Sequence, residues 1–154
     1  MELLLWRHAD ALSGASDIAR ELSPLGQIQA QEVASWLETH APADLRLVVS
    51  PAVRTRQTVS CFCRDETRLQ FCAPLFDGAT PEAILEIIAW PDAPMPVLIV
   101  GHQPLLGAIA AHLLGNAPFP PSFRKGALWW LRGEPGQNAA QLVRVVEAQT
   151  HQGR

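Results

Sequence analysis

The stretch Leu3-Leu4-Leu5-Trp6-Arg7-His8 decides the fold. Four apolar residues end abruptly in a guanidinium and an imidazole, and the loop-like Ala9-Asp10-Ala11 follows. An apolar run without polar alternation suits a strand buried on both faces, as in a parallel sheet. Polar groups at the carboxyl end of such a strand stand where open α/β sheets place their ligands. Two other segments repeat the design. Leu47-Val48-Val49-Ser50-Pro51 leads to Arg54, and Val97-Leu98-Ile99-Val100-Gly101 leads to His102-Gln103-Pro104. Three strands would thus deliver Arg7, His8, Arg54 and His102 to one edge, a cluster suited to phosphate and, through its imidazoles, to phosphoryl transfer.

Between these segments the chain alternates strand and helix. Ser23 as N-cap and Pro24 at the first helical position open a helix that carries Ile28, Val33, Trp36 and Leu37 and ends near His40-Ala41-Pro42. Ser50-Pro51 repeats that signal and predicts a helix to about Cys63. A short strand over Leu69 to Cys72 follows. Thr80-Pro81 then opens a helix that Trp90-Pro91 closes, and Pro104 opens another that stops at Gly115. Ala117 to Ser122 reads as a proline-rich loop. Ala127 to Leu131 and Leu142 to Val146 read as two strands joined through Gly133-Glu134-Pro135-Gly136, with Trp129 and Trp130 on opposite faces. The pattern predicts a three-layer α/β/α domain with a mainly parallel central sheet and an antiparallel edge. No composition break divides it. A single domain over 1–148 with a frayed tail over 149–154 is expected.

Charge and cysteine content narrow the function classes. The formal net charge of -3 excludes a general nucleic-acid binder, which would be basic over the domain. A phosphate site here is therefore a local positive pocket in a mildly acidic protein. Three cysteines and no secretory signal argue against a disulfide framework. Cys61 and Cys63, two apart in an expected helix, are poor joint metal ligands. The apolar runs are too short to span a membrane, and a reducing cytoplasm is the expected location. Oligomeric state is not legible.

Phosphoryl transfer needs fixed cations, oriented N–H donors and a nucleophile in line with the leaving atom. Arg7 and Arg54 can each hold phosphate oxygens bidentately, and Arg54 stands in the first turn of its helix, where the positive dipole end favours an anion. A neutral imidazole can attack phosphorus. His8 is the expected nucleophile. His102 in its charged form is the expected donor to the phosphoryl oxygens. Asp77, in Leu75-Phe76-Asp77-Gly78, is the nearest candidate for a proton donor, with Asp10 behind it. Gln57 is a candidate hydrogen-bond partner for substrate. Asp17 and Arg20 either pair with each other or touch substrate, and Arg56 reads as a surface residue. His40, His112 and His151 read as structural or exposed, with His112 partly buried.

At these positions the chain resembles the histidine phosphatase superfamily, the phosphoglycerate-mutase-like group. Arg7-His8-Ala9 resembles the family's Arg-His-Gly signature, with Ala9 in place of glycine. Ser50-Pro51-Ala52-Val53-Arg54, with Gln57-Thr58 after it, resembles the second motif. Gly101-His102-Gln103-Pro104 resembles the last catalytic motif. The motifs cover roughly the first two-thirds of the chain and are specific only together. Within the superfamily the short chain is similar to the small SixA-type phosphohistidine phosphatases. Their opening resembles Arg7-His8-Ala9-Asp10-Ala11, and another of their segments resembles Asp17 with Arg20-Glu21-Leu22-Ser23-Pro24-Leu25-Gly26. The resemblance implies a phosphate pocket of Arg7, His8, Arg54 and His102, a covalent phosphohistidine at His8, no metal or other cofactor, and a phosphohistidine protein as substrate. A phosphatase of small phosphomonoesters and a catalytically silent phosphate-binding module remain the alternatives.

Overall fold

The computed structural model describes residues 1–115 and 121–150. The expected proline-rich loop falls largely outside them, as does His151. Among the described residues, strands β1 (Glu2–Arg7), β2 (Arg46–Val49), β3 (Leu69–Phe71), β4 (Val97–Gly101), β5 (Leu128–Gly133) and β6 (Ala140–Val146) form one sheet in the order β3-β2-β4-β1-β5-β6. The four strands from β3 to β1 run parallel, and β5 and β6 add an antiparallel hairpin. β1 therefore sits inside the sheet, which is why it carries no polar alternation. Leu3, Leu4, Leu5 and Trp6 are each fully buried.

Successive residues of the central strands enter two separate cores, as the pleat requires. Leu4, Trp6, Leu47, Val49, Leu98 and Val100 pack beneath helices α1 (Pro24–His40) and α2 (Val53–Ser60), which contribute Val33, Leu37 and Val59. Leu3, Leu5, Val48, Val97 and Ile99 pack on the other face. There the cover comes from a short helix α3 (Pro74–Asp77), α4 (Pro81–Ile87) and α5 (Leu105–Leu114). Burying each large side chain is worth about 1.5–3 kcal/mol. Trp129 and Trp130 divide between the two cores as expected.

Two starts follow their sequence signals. The Ser23 hydroxyl accepts the Gly26 N–H at the head of α1, and the Thr80 hydroxyl accepts the Ala83 N–H at the head of α4. Ser50-Pro51 departs from expectation. α2 begins at Val53 with Ala52 in the capping position, and no side chain caps it. The Thr55 hydroxyl lies 2.8 Å from the carbonyl oxygens of Ser50 and Ala52, and the Ser50 hydroxyl meets the Ala52 N–H at 3.4 Å. α2 also ends at Ser60, so Cys63 lies beyond the helix. α3 and a 3-10 turn over Asp17–Ala19 are elements that the sequence reading did not predict. Gln149 N–H donates to Glu32 at 2.7 Å, and the Thr150 carbonyl accepts from Gln29 at 3.2 Å.

Candidate active site

The carboxyl ends of three adjacent parallel strands make the site. Ser50 directly follows β2, His102 follows β4 and His8 follows β1, so the sheet order brings together residues from distant parts of the chain. The backbone around His8 is held on three sides. Its N–H donates to the Gly101 carbonyl at 3.1 Å, its carbonyl accepts the Gly126 N–H at 3.0 Å, and the Ala9 N–H donates to Thr58 Oγ1 at 3.2 Å. Gly126 has φ of 79°, a left-handed conformation that a side chain would strain. Ala9 adopts no positive φ, so its methyl is accommodated, packed against Leu22 and Ala30.

His8 is 8% exposed, and its Nδ1 lies 2.7 Å from the Ala9 carbonyl oxygen. A carbonyl can only accept, so Nδ1 carries the proton and the lone pair of Nε2 is left for attack. Burial pushes the pKa of His8 down to about 3, against the Ala9 hydrogen bond and with help from His102, Arg54 and Arg7. The His8 and His102 rings stand 5.3 Å apart between centroids, tilted by 57°. His102 Nε2 lies 2.7 Å from Ser50 Oγ.

Both guanidinium groups are anchored at one end. Arg7 Nη1 donates to the Phe123 carbonyl at 2.6 Å. Arg54 is 6% exposed; its Nη1 donates to the Asp17 carbonyl at 2.7 Å and its Nη2 meets the Asp17 carboxylate at 3.4 Å. Among the described residues, the buried side-chain polar atoms without a partner are Arg7 Nε, Arg54 Nε and His102 Nδ1. All three belong to the expected phosphate pocket. An unsatisfied buried polar group costs about 1–3 kcal/mol. A protein keeps such a set together where a ligand satisfies it.

The charge expected of His102 depends on a bound anion. Burial, then the charge of Arg54, holds its pKa down to about 4, with Asp17 opposing and Arg7 adding to the effect. The protein's own groups therefore keep both imidazoles neutral at pH 7. A dianion between them would raise the pKa of His102 and let it take a proton from solvent.

The remaining candidates are placed elsewhere. Asp10 is locked in structure: its carboxylate accepts from Ser23 Oγ at 2.5 Å and from Lys125 Nζ at 2.9 Å. Burial alone would raise its pKa, but these two partners hold it below the usual carboxylate range. Asp10 is thus no proton donor. Asp77 ends α3 fully on the exposed side, and the neighbouring Phe76 ring meets His102 edge-on at 5.8 Å. Gln57 does not face the pocket. Its amide accepts from Leu22 N–H at 2.7 Å and donates to Glu21 at 3.2 Å, tying down the segment before α1. Asp17 pairs with Arg20 at 3.3 Å, so that ion pair exists, and the same carboxylate also reaches Arg54. Arg56 is exposed and pairs with Glu66 at 3.0 Å. His112 is exposed, not partly buried, because it lies on the outer side of α5 facing Glu82 at 3.9 Å.

Sequence reasoning missed Ser50, Asp17 and Phe76 as neighbours of the pocket residues. The serine was visible in its motif but was read as a helix cap. Nothing local marks Asp17 as the anchor of Arg54, or Phe76 as the neighbour of His102.

The sequence profile of the histidine phosphatase superfamily (branch 1) matches residues 3–72. The phosphohistidine phosphatase SixA of Escherichia coli (strain K12) is 30% identical over 136 residues, 83% of this chain and 83% of its own length. The chain belongs to the histidine phosphatase superfamily. It is a phosphatase of that group, similar to its SixA proteins. A protein described as SixA from Nakamurella multipartitia has the same fold, with a TM-score of 0.80, 30% identity and 96% of each chain covered. An uncharacterised Mycobacterium leprae protein, ML1117, is 32% identical over 101 residues; the chain spans 62% of its length. No helix among the described residues is long and apolar enough to cross a membrane.

Proposed function

We propose that this phosphatase works through a covalent phosphohistidine at His8 and that its substrate is phosphohistidine carried on a protein. The observation that carries the mechanism is the meeting of two anchored guanidinium groups and two imidazoles around three orphaned buried donors or acceptors. Arg7 and Arg54 hold the phosphoryl oxygens. His8 Nε2, unprotonated and rigidly held, attacks phosphorus. A bond forms from Nε2 to phosphorus, the bond from phosphorus to the leaving nitrogen breaks, and its electron pair stays on that nitrogen. The leaving imidazole departs neutral because its remote nitrogen already carries a proton. Water then attacks the phosphoryl group; phosphate leaves, the electron pair returns to His8, and the water proton passes to phosphate or solvent. His102, whose pKa the dianion raises so that it takes a proton from solvent, supports the equatorial oxygens.

The substrate class is supported by the placement of the acids. Asp10 is bound up in structure, which removes one of the two candidate donors to a departing alkoxide, and Asp77 is exposed at the end of α3. An imidazole is a far better leaving group and needs none. Resemblance to the SixA proteins supports the same class. Three free cysteines support a reducing cytoplasm as the location, and the reading takes 1–148 as one catalytic domain. The test is turnover of a phosphohistidine peptide against a panel of sugar and nucleotide phosphates, with trapping of an acid-labile phosphoenzyme. The peptide is expected to react and His8→Ala to abolish both signals. Turnover of the esters alone would overturn the substrate class, and trapping in His8→Ala would overturn the nucleophile.

A further inference from the structure

Beside the four pocket residues lies a cavity of about 270 Å³ that the phosphate chemistry does not use. Its wall includes Leu75, Phe76, Ala79, Leu105 and Ala108, and His102 stands at its border. Neither His8 nor either arginine of the pocket lines it, so it is no second anion site. Its one amide, Gln103, is already spent: Nε2 donates to the Pro121 carbonyl at 3.2 Å, and Oε1 accepts the Gly107 N–H at 2.8 Å. The cavity therefore presents an apolar, partly aromatic surface with no charge among its lining side chains except through His102. It is smaller than the ~300–1,000 Å³ of sites that enclose whole small molecules. A larger cavity of about 580 Å³ lies against the outer side of α2 and is lined by Arg56, Cys61 and Arg64, but it holds none of the four pocket residues.

We propose that the cavity beside Phe76 is the leaving-group subsite, shaped for a flat uncharged ring such as imidazole. The inference rests on the phosphohistidine reading above and deepens it. Displacement by His8 expels the leaving atom on the side opposite Nε2. The cavity is lined by His102 but not by His8, so it is open to a group that leaves past His102 and away from Nε2. Phe76 already meets one imidazole edge-on, and its ring offers the departing one the same kind of contact. Phe76 and Ala108 thus become specificity-determining residues: they select the group that leaves, while the arginines hold the group transferred.

Two small phosphoramidates separate this subsite from the reaction itself. Phosphoimidazole and phosphoramidate both release a nitrogen leaving group that can carry its own proton, but only the first has a ring. The wild-type chain is expected to favour phosphoimidazole by about tenfold or more in kcat/KM. Ala108→Leu, which fills the cavity from a helix position, is expected to remove most of that preference and leave phosphoramidate turnover unchanged. Phe76→Ala should weaken the preference through KM. Phosphoramidate turnover reports in each variant that the chain has folded. Equal turnover of the two compounds by the wild type, or an undiminished preference in Ala108→Leu, would overturn the subsite while leaving the phosphatase reading intact. Failure of the wild type on both compounds would overturn that reading and the subsite with it.

Discussion

Sulfate binding should draw a proton into the pocket. The perturbation is a dianion whose own charge does not change across the pH range of interest, so any proton taken up belongs to the protein. His102 is held down to about 4 by burial and by the charges of Arg54 and Arg7. Sulfate between the guanidinium groups neutralises the repulsion and offers an acceptor to Nδ1, which has none in the protein. If this restores His102 only to the ordinary imidazole value, about 0.9 proton enters per sulfate near pH 5.5. Affinity then rises about 30-fold between pH 8 and pH 5, because the complex binds more protons than the free protein throughout that window. Isothermal titration at fixed ionic strength, in two buffers of different ionisation enthalpy, reads the proton directly. His102→Gln should abolish the uptake. Sulfate affinity that does not change with pH, or equal uptake in His102→Gln, would refute the electrostatic account of the pocket.

Two further outcomes test the scaffold. Gly26→Ala should destabilise the fold by about 1–3 kcal/mol or more in chemical unfolding, because a Cβ there would overlap the Asp10 carbonyl oxygen where α1 crosses the loop after His8. Ser50→Ala removes the hydroxyl 2.7 Å from His102 Nε2 and should lower kcat about 10–100-fold with KM little changed. Its pH profile should shift with it, which a purely structural role for Ser50 would not produce.

The central strands were legible because their burial on both faces leaves a plain signature. Leu3 to Trp6 and Val97 to Val100 have no polar residue to confuse the period, and the prolines after Ser23 and Thr80 marked their helices well. The helix after Ser50-Pro51 was misjudged by the same rule. A serine before proline looks like a cap, but its hydroxyl is drawn across the sheet to an imidazole from 52 residues away. The four pocket residues could be grouped from sequence because each ends, or closely follows, an apolar strand. The roles of Asp10, Asp77 and Gln57 could not. A carboxylate acts as acid or as anchor according to its partners, and Lys125, which fixes Asp10, comes 115 positions later. The neutral state of His102 depends likewise on burial and on Arg54, neither of which composition reveals.

The first strand lies between β4 and β5, with Leu3 registered against Val97 on one side and Leu131 on the other. The imidazole proposed to carry the phosphoryl group follows the first strand, yet the backbone that fixes it comes from Gly101 and Gly126, far along the sequence. Contacts of such long sequence separation form slowly. The aim of the His8 ring and its lowered basicity therefore depend on β4 and the segment before β5 having closed on β1.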